Sequence, residues 1–486
     1  MAKKFTFVAL VFVLGFRSDV VNPQSVPEFN FRIFFDQRGV LESASVNTVA
    51  DIIKALPYVT DIFIFSHGWN NDPVSAERTY KQFISGMVGT RPAARLSPSF
   101  KALLVGFYWP SALFPVSNCS VGSIPIQDID RWARTSFPLA IQRSEFTAEV
   151  GVLHQAVSAE ASGVTVGRAR LLRSIEVLSN WAEATDPDNE VSGEASILGR
   201  SPSDALTFYE ETIQSNSEIA RAGNLKADSV CGALNVLTFW TMKRRAGIVG
   251  ARGGFELLRQ LSAAPGNAAR RIHLVGHSFG GKLLASALLG VAGEQKPNRV
   301  TSFTILQGAF SHFAFASSDQ LNRFDIGRGK AGLYASIVGS GLVRGLLVAT
   351  YSSKDTANSI WYPIGAAIAH DYLALQINPQ FNSMLLAVNK DRQAQTGTAL
   401  ARPPVLESVS SKGVFEVPKY GAIGANGIFG PPVGFLQLTK GSSGKIFANS
   451  DRKIFNIDGR DVITGHSDIL QTEVYNLIWD VVLASQ

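Results

Sequence analysis

The strongest constraint on this chain is the stretch Arg271-Ile272-His273-Leu274-Val275-Gly276-His277-Ser278-Phe279-Gly280-Gly281, a short apolar run that leads into Gly-His-Ser-Phe-Gly. The residues that follow, Lys282 to Leu289, are good helix formers. A serine between a buried strand and a helix sits on a sharp turn. Side chains at Gly276 or Gly280 would collide with the adjoining strand or helix, and the serine itself is held in an unfavourable backbone conformation. Its hydroxyl then stands at a helix N-terminus, where partial positive charge and N–H groups favour developing negative charge. With 43 glycines in the chain, the five-residue pattern alone is weak, and the flanking strand and helix carry the reading.

The rest of the chain alternates strand and helix on either side of a break. Phe29 to Phe35 reads as a strand closed by Asp36-Gln37-Arg38-Gly39, and Val46, Val49, Ile53 and Leu56 recur at helical spacing before Pro57. Asp61 to Phe65 is apolar without polar alternation after its first residue, as suits a parallel strand covered on both faces. It delivers Ser66-His67-Gly68-Trp69, and Asp72-Pro73 then predicts the cap and first turn of a helix reaching Met87. Lys101 to Trp109 is a third strand. Later strands are expected at Val300–Leu306, Val343–Tyr351 and Lys453–Ile457, with a terminal helix to Leu483 and a loop-rich stretch from Asn378 to Lys445.

Between Ser111 and Gly254 only helical patterns occur, near 144–160, 167–184, 204–222 and 227–246, with a polar loop at 185–203. An all-helical excursion between two sheet strands reads as a cap or lid more readily than as a separate domain. Leu171, Leu172, Ile175, Leu178 and Trp181 need a surface to bury against. That surface is the catalytic edge of the sheet, one another, or the back of the core.

Composition narrows the function classes. Lys plus Arg at 45 against Asp plus Glu at 39 gives +6, and the basic residues are dispersed, so a nucleic-acid partner is not expected. Cys119 and Cys231 are the only cysteines, which allows one disulfide and no framework. Neither C-x-x-C nor H-E-x-x-H occurs, so no metal or cofactor is expected. At the N-terminus, Lys3-Lys4 followed by Phe5 to Phe16 has the look of a secretory signal without a small-x-small cleavage site. A buried first strand or an extension fits residues 1–28 equally. Cytoplasmic and secreted or envelope locations both stay open, as do membrane association and oligomeric state.

A serine is a weak nucleophile at its own pKa, so Ser278 needs a base and the base needs an orienting acid. Seven histidines compete. His273 and His277 lie on the serine's own strand and turn, and His154 lies in the helical insertion. His466, in a Gly-containing loop before the terminal helix, is the best base, with His312 and His370 as rivals. Asp355 stands just past the strand ending at Tyr351. Parallel strands end at one edge, so Asp355 shares that edge with Ser278; Asp325, Asp371 and Asp468 are alternatives.

Gly276-His277-Ser278-Phe279-Gly280 on its strand-to-helix turn, together with His67-Gly68-Trp69 after an earlier strand, resembles the α/β-hydrolase superfamily, and within it serine esterase or lipase-like proteins. The resemblance covers Phe29–Pro110 and Phe255–Leu483. It implies an α/β fold with a mostly parallel central sheet flanked by helices, in which residues 29–110 and 255–486 form the core and 111–254 a helical cap. It implies a Ser278, Asp355, His466 triad in that chain order, with an oxyanion hole from the backbone N–H groups of Trp69 and Phe279. His67, Gly68, Gly276, His277 and Gly280 would be supporting residues. The implied reaction is hydrolysis of a small-molecule carboxylic ester, hydrophobic if the helices roof the site. Two other readings stand beside it: a non-catalytic binding or scaffold module, and an amidase or thioesterase on the same triad.

Overall fold

The computed structural model describes residues 31–112, 144–161, 168–181, 239–264, 270–291, 297–322, 331–355, 421–442 and 451–485, with a few short pieces besides. The N-terminal apolar segment, the expected helix at 204–222, the loop at 185–203, Cys119, Cys231, Asp325, His370 and Asp371 lie outside the described residues.

Eight parallel strands form one sheet: β1 (Phe31–Phe34), β3 (Ala102–Tyr108), β2 (Asp61–Ser66), β4 (Arg271–His277), β5 (Ser302–Leu306), β6 (Leu347–Tyr351), β10 (Ile454–Asp458) and β9 (Gly434–Gln437), in that spatial order. A separate antiparallel pair joins β7 (Leu375–Gln376) to β8 (Glu416–Val417). Every residue of β2, β5, β6 and β10 is buried. Cover on both faces is what removes polar alternation from such strands.

Alternate residues of β2 feed two cores. Ile62 and Ile64 join Phe279, Leu283 and Leu284 of the helix Phe279–Leu289, while Phe63 and Phe65 join Tyr80 and Phe83 of Pro73–Gly89 and Leu477 and Ile478 of Thr472–Ala484. The helix Pro73–Gly89 starts where expected, with Asp72 accepting from the backbone N–H of Ser75 at 2.7 Å. From β2 the chain crosses to β3 on one side, and from β4 to β5 on the other. The helices after β2 and β4 therefore lie on opposite faces. The carboxyl ends of these two neighbouring strands leave a crevice between them, the place where open α/β sheets bind ligands.

Three expectations change. The stretch read as loop from Asn378 to Lys445 contains β9, paired in parallel with β10, and a short helix Ile423–Asn426. β9 has four residues on the sheet edge, follows Pro431-Pro432 and is mostly half-buried, so neither length nor alternation marks it. The boundary at Gly254 falls inside continuous helical structure: Phe239–Val249 passes through the π-turn Gly250–Gly254 into Phe255–Ala263. The glycines of Gly-Ala-Arg-Gly-Gly are poor helix formers and disguise that continuity. Met242, Ala246 and Val249 belong to the same core as the helix after Ser278, so this end of the insertion is part of the core packing. Finally, β6 begins at Leu347, whereas Val343 makes only an isolated bridge to Val300.

Of the other insertion helices, Phe146–Ala161 packs against Arg168–Trp181. Leu171, Ile175, Leu178 and Trp181 sit on the second of these, but their side chains lie outside the description.

Candidate active site

Ser278 forms the turn between β4 and the helix Phe279–Leu289, with φ 56° and ψ −124°. Positive φ is costly for a side-chain-bearing residue, about 1–3 kcal/mol, and persists only where the surroundings over-determine it. Here they do. The Ser278 N–H donates to the Leu306 carbonyl at 3.0 Å, which ties the turn to β5. A Cβ on Gly276 would lie 2.6 Å from Gly281 Cα, and one on Gly280 would lie 2.1 Å from the Ser66 carbonyl oxygen. Both glycines are therefore obligatory: the first lets the helix turn back on its own strand, the second lets it approach β2.

His466 lies in the loop between β10 and the terminal helix. Its Nε2 is 2.9 Å from Ser278 Oγ, and its Nδ1 is 2.9 Å from Asp355 Oδ2. An ionised carboxylate only accepts, so Nδ1 carries the proton and the Nε2 lone pair faces the serine hydroxyl. Asp355, four residues past β6, is fully buried. It is compensated by three further donors: Gln307 Nε2 at 2.8 Å and Asn358 Nδ2 at 2.8 Å on Oδ2, and the Asn358 N–H at 3.0 Å on Oδ1. Gln307 follows β5 directly and has φ 48°. Neither Gln307 nor Asn358 was singled out from the sequence. The only signal was a polar residue at the end of an apolar strand.

The competing residues are placed elsewhere or tied locally. His273 is at the opposite end of β4, its Nε2 3.0 Å from Asp61 and its Nδ1 2.7 Å from Ser302 Oγ. His312 is fully buried against Phe313 and Phe429, with ring centroids 4.1 and 5.0 Å away. His154 pairs with Asp130 at 3.2 Å. Asp468 turns back on its own loop, accepting from the Thr464 N–H at 3.0 Å, from Thr464 Oγ1 at 2.7 Å and from Gln471.

The loop after β2 lies over the serine. A Cβ on Gly68 would stand 2.7 Å from Ser278 Cβ, so any larger residue forces the loop or the serine to shift. The loop is held from behind. His67 N–H donates to Tyr80 Oη at 2.7 Å, Trp109 Nε1 donates to the His67 carbonyl at 2.9 Å, and the His67 ring stacks on Trp109 at 5.7 Å. Asn71 Nδ2 donates to the Gly68 and Trp69 carbonyls at 3.2 and 3.0 Å, and the Asn71 N–H donates to Ser111 Oγ at 3.0 Å. His67 Nδ1–H donates to the same Gly68 carbonyl at 3.0 Å. In a trans peptide C=O and N–H point in opposite directions. With the Gly68 carbonyl aimed at His67 and Asn71, the Trp69 N–H aims away from them. Burial holds the His67 imidazole down to about pKa 4, so it is neutral.

His277 braces His466. Its Nε2–H donates to the His466 carbonyl at 2.9 Å, which fixes the backbone that carries the imidazole. Burial first, and then the nearby His466 ring, hold His277 to about pKa 3, so Nδ1 is a bare acceptor. Comparison with protein-family models, curated proteins and solved structures finds no match for this chain.

Proposed function

We propose that this chain is a serine hydrolase of the α/β-hydrolase fold that cleaves a carboxylic ester through an acyl-enzyme. The single observation that carries the reading is the relay Ser278 Oγ, His466 Nε2, His466 Nδ1, Asp355 Oδ2, with both contacts at 2.9 Å and the serine on a positive-φ turn. In this mechanism His466 takes the proton of Ser278 as Oγ attacks the ester carbonyl carbon. Asp355 holds the Nδ1–H tautomer and stabilises the imidazolium. The Phe279 and Trp69 N–H groups receive the oxyanion, His466 returns the proton to the departing alkoxide, and water then hydrolyses the acyl-enzyme by the same relay. The chain order Ser278, Asp355, His466 and the position of Ser278 at the strand-order reversal support the fold assignment. The insertion leaves the sheet at the carboxyl end of β3, on the edge that bears Ser278, which supports a cap over the site.

The experiment is labelling with a fluorophosphonate probe, followed by hydrolysis of p-nitrophenyl butyrate. Native protein is labelled and active, whereas Ser278→Ala is neither and keeps its circular dichroism. Equal labelling or activity in the two proteins overturns the proposal.

A further inference from the structure

Beside the relay is a cavity of about 220 Å³ that the proposed chemistry leaves unassigned. It lies on the face of the sheet covered by Pro73–Gly89, at the carboxyl ends of β2, β4 and β5. By area its walls are mostly apolar, with Phe65, Phe83, Leu306 and Leu470 prominent, while Ser66, His67, Asn71, Thr79, His277 and Ser467 supply polar side chains. It also touches Gly68, whose backbone packs on Ser278, and Ser467, the residue after His466.

We propose that this cavity is the subsite for the alcohol portion of the ester, and that it selects a compact, largely apolar alcohol. The assignment rests on the serine-hydrolase reading above. Four groups surround the tetrahedral carbon: Ser278 Oγ, the oxyanion, the acyl chain and the leaving oxygen. Only the leaving oxygen must receive a proton from His466 Nε2, so it faces the loop that carries His466. That loop, from Ser467 through Leu470, is one wall of the cavity, and His277, bonded to the His466 carbonyl, is another. A group leaving the reaction centre along this wall is therefore the alcohol, and the acyl chain departs elsewhere. The size is informative too. A cavity of about 150 Å³ holds a benzene ring, so this one takes roughly six to nine non-hydrogen atoms. That range spans a hexyl or benzyl alcohol. The bare Nδ1 of His277 offers one acceptor to a donor on that group, while Phe65, Phe83, Leu306 and Leu470 offer apolar contact.

Leu470 is only half-buried, so it can be changed without opening the core. The test compares native protein, Leu470→Trp and Leu470→Ala on two ester series. One keeps the butyryl group and varies the alcohol from ethyl through hexyl to benzyl. The other keeps ethanol and lengthens the acyl chain. Filling the cavity lowers the benzyl-to-ethyl ratio of kcat/KM by about tenfold or more, emptying it raises that ratio, and the acyl-series ratios stay within about threefold of native. Thr79→Trp, at a half-buried lining position on the helix Pro73–Gly89, repeats the effect of Leu470→Trp. Discrimination that appears in the acyl series instead, or ratios that ignore all three variants while the native protein hydrolyses both series, overturns the subsite alone. Failure of the native protein to hydrolyse any ester or to take the fluorophosphonate label overturns the serine-hydrolase reading with it.

Discussion

Gln307 donates from Nε2 to Asp355 Oδ2 at 2.8 Å while its own Oε1 accepts from Thr350 Oγ1 at 2.9 Å. The second Nε2 hydrogen goes to the Gly424 carbonyl at 3.1 Å, and the Gln307 carbonyl accepts from Asn358 Nδ2 at 3.1 Å. One fully buried amide thus joins the end of β5, the end of β6 and the acid of the proposed relay.

Gln307→Met removes the three side-chain bonds, to Asp355, Gly424 and Thr350, at nearly constant volume and leaves the main-chain carbonyl in place, and we expect kcat to fall with KM little changed. A hydrogen bond to a charged group is worth about 1.5–3 kcal/mol, and loss of that magnitude from the transition state is roughly 10–100-fold in rate. Steady-state kinetics on p-nitrophenyl butyrate check this. A rise in KM at constant kcat would assign Gln307 to substrate binding instead.

Gly68→Ala is the second test. The added methyl would stand 2.7 Å from Ser278 Cβ, so either the loop or the serine must shift. Misplacement of the reacting groups on that scale costs up to about 100-fold. The variant should fold, keep its far-ultraviolet circular dichroism and take the fluorophosphonate label slowly. Labelling at the native rate would show that the loop yields freely and does not position the oxyanion.

Much of the sheet was legible because parallel strands buried on both faces leave continuous apolar runs. The stretches at 61–66, 271–277, 302–306 and 347–351 are of this kind, and the strand before His67 needed no alternation to be seen. β9 was not legible, because a four-residue edge strand after two prolines has no period to detect. Gln307 and Asn358 were invisible for another reason: hydrogen-bond partners of a carboxylate are single polar residues brought together only by the fold. Residue types alone would also mislead. Asp61, His273 and Ser302 make a second Asp-His-Ser chain with contacts of 3.0 and 2.7 Å, but it is closed in the core at the amino end of the strands. Ser302 stands within β5, not on a strand-to-helix turn, so it has no access to substrate.

The buried histidines predict a pH window for stability. His67 and His277 are held to about 4 and about 3 by burial, below the 6.5 of an unfolded chain. The unfolded state therefore binds the extra protons, and stability is lost as pH falls below about 6.5. Asp61 adds a second window. Burial raises its pKa, but the bonds from Arg271, His273 and Thr60 outweigh burial and hold it at about 2 against 3.8 unfolded. Its contribution is present above 3.8 and lost as pH falls through 2. Urea midpoints should thus be level near neutrality, decline from about pH 6.5 and decline again below about pH 4. A midpoint that rises on acidification would show that these groups are not buried as described.

The choice of acid gives the final prediction. Asp355 and Asp468 both lie near His466 in sequence or space, but only Asp355 reaches its Nδ1. Asp468 spends its oxygens on Thr464 and Gln471, so it shapes the loop and does not touch the imidazole. Asp355→Asn keeps the volume but replaces the charge that holds the tautomer and stabilises the imidazolium. An amide oriented to donate would stabilise the wrong tautomer, with the proton on Nε2 facing Ser278. By the general behaviour of such relays, kcat should fall by about 10³–10⁴-fold with a much smaller change in KM. Asp468→Asn keeps an acceptor for Thr464 and should change kcat by less than about tenfold, most of it recoverable at lower temperature if the loop is merely loosened. Parallel kinetics on the two variants decide the matter, and a larger loss in Asp468→Asn would transfer the orienting role to that residue.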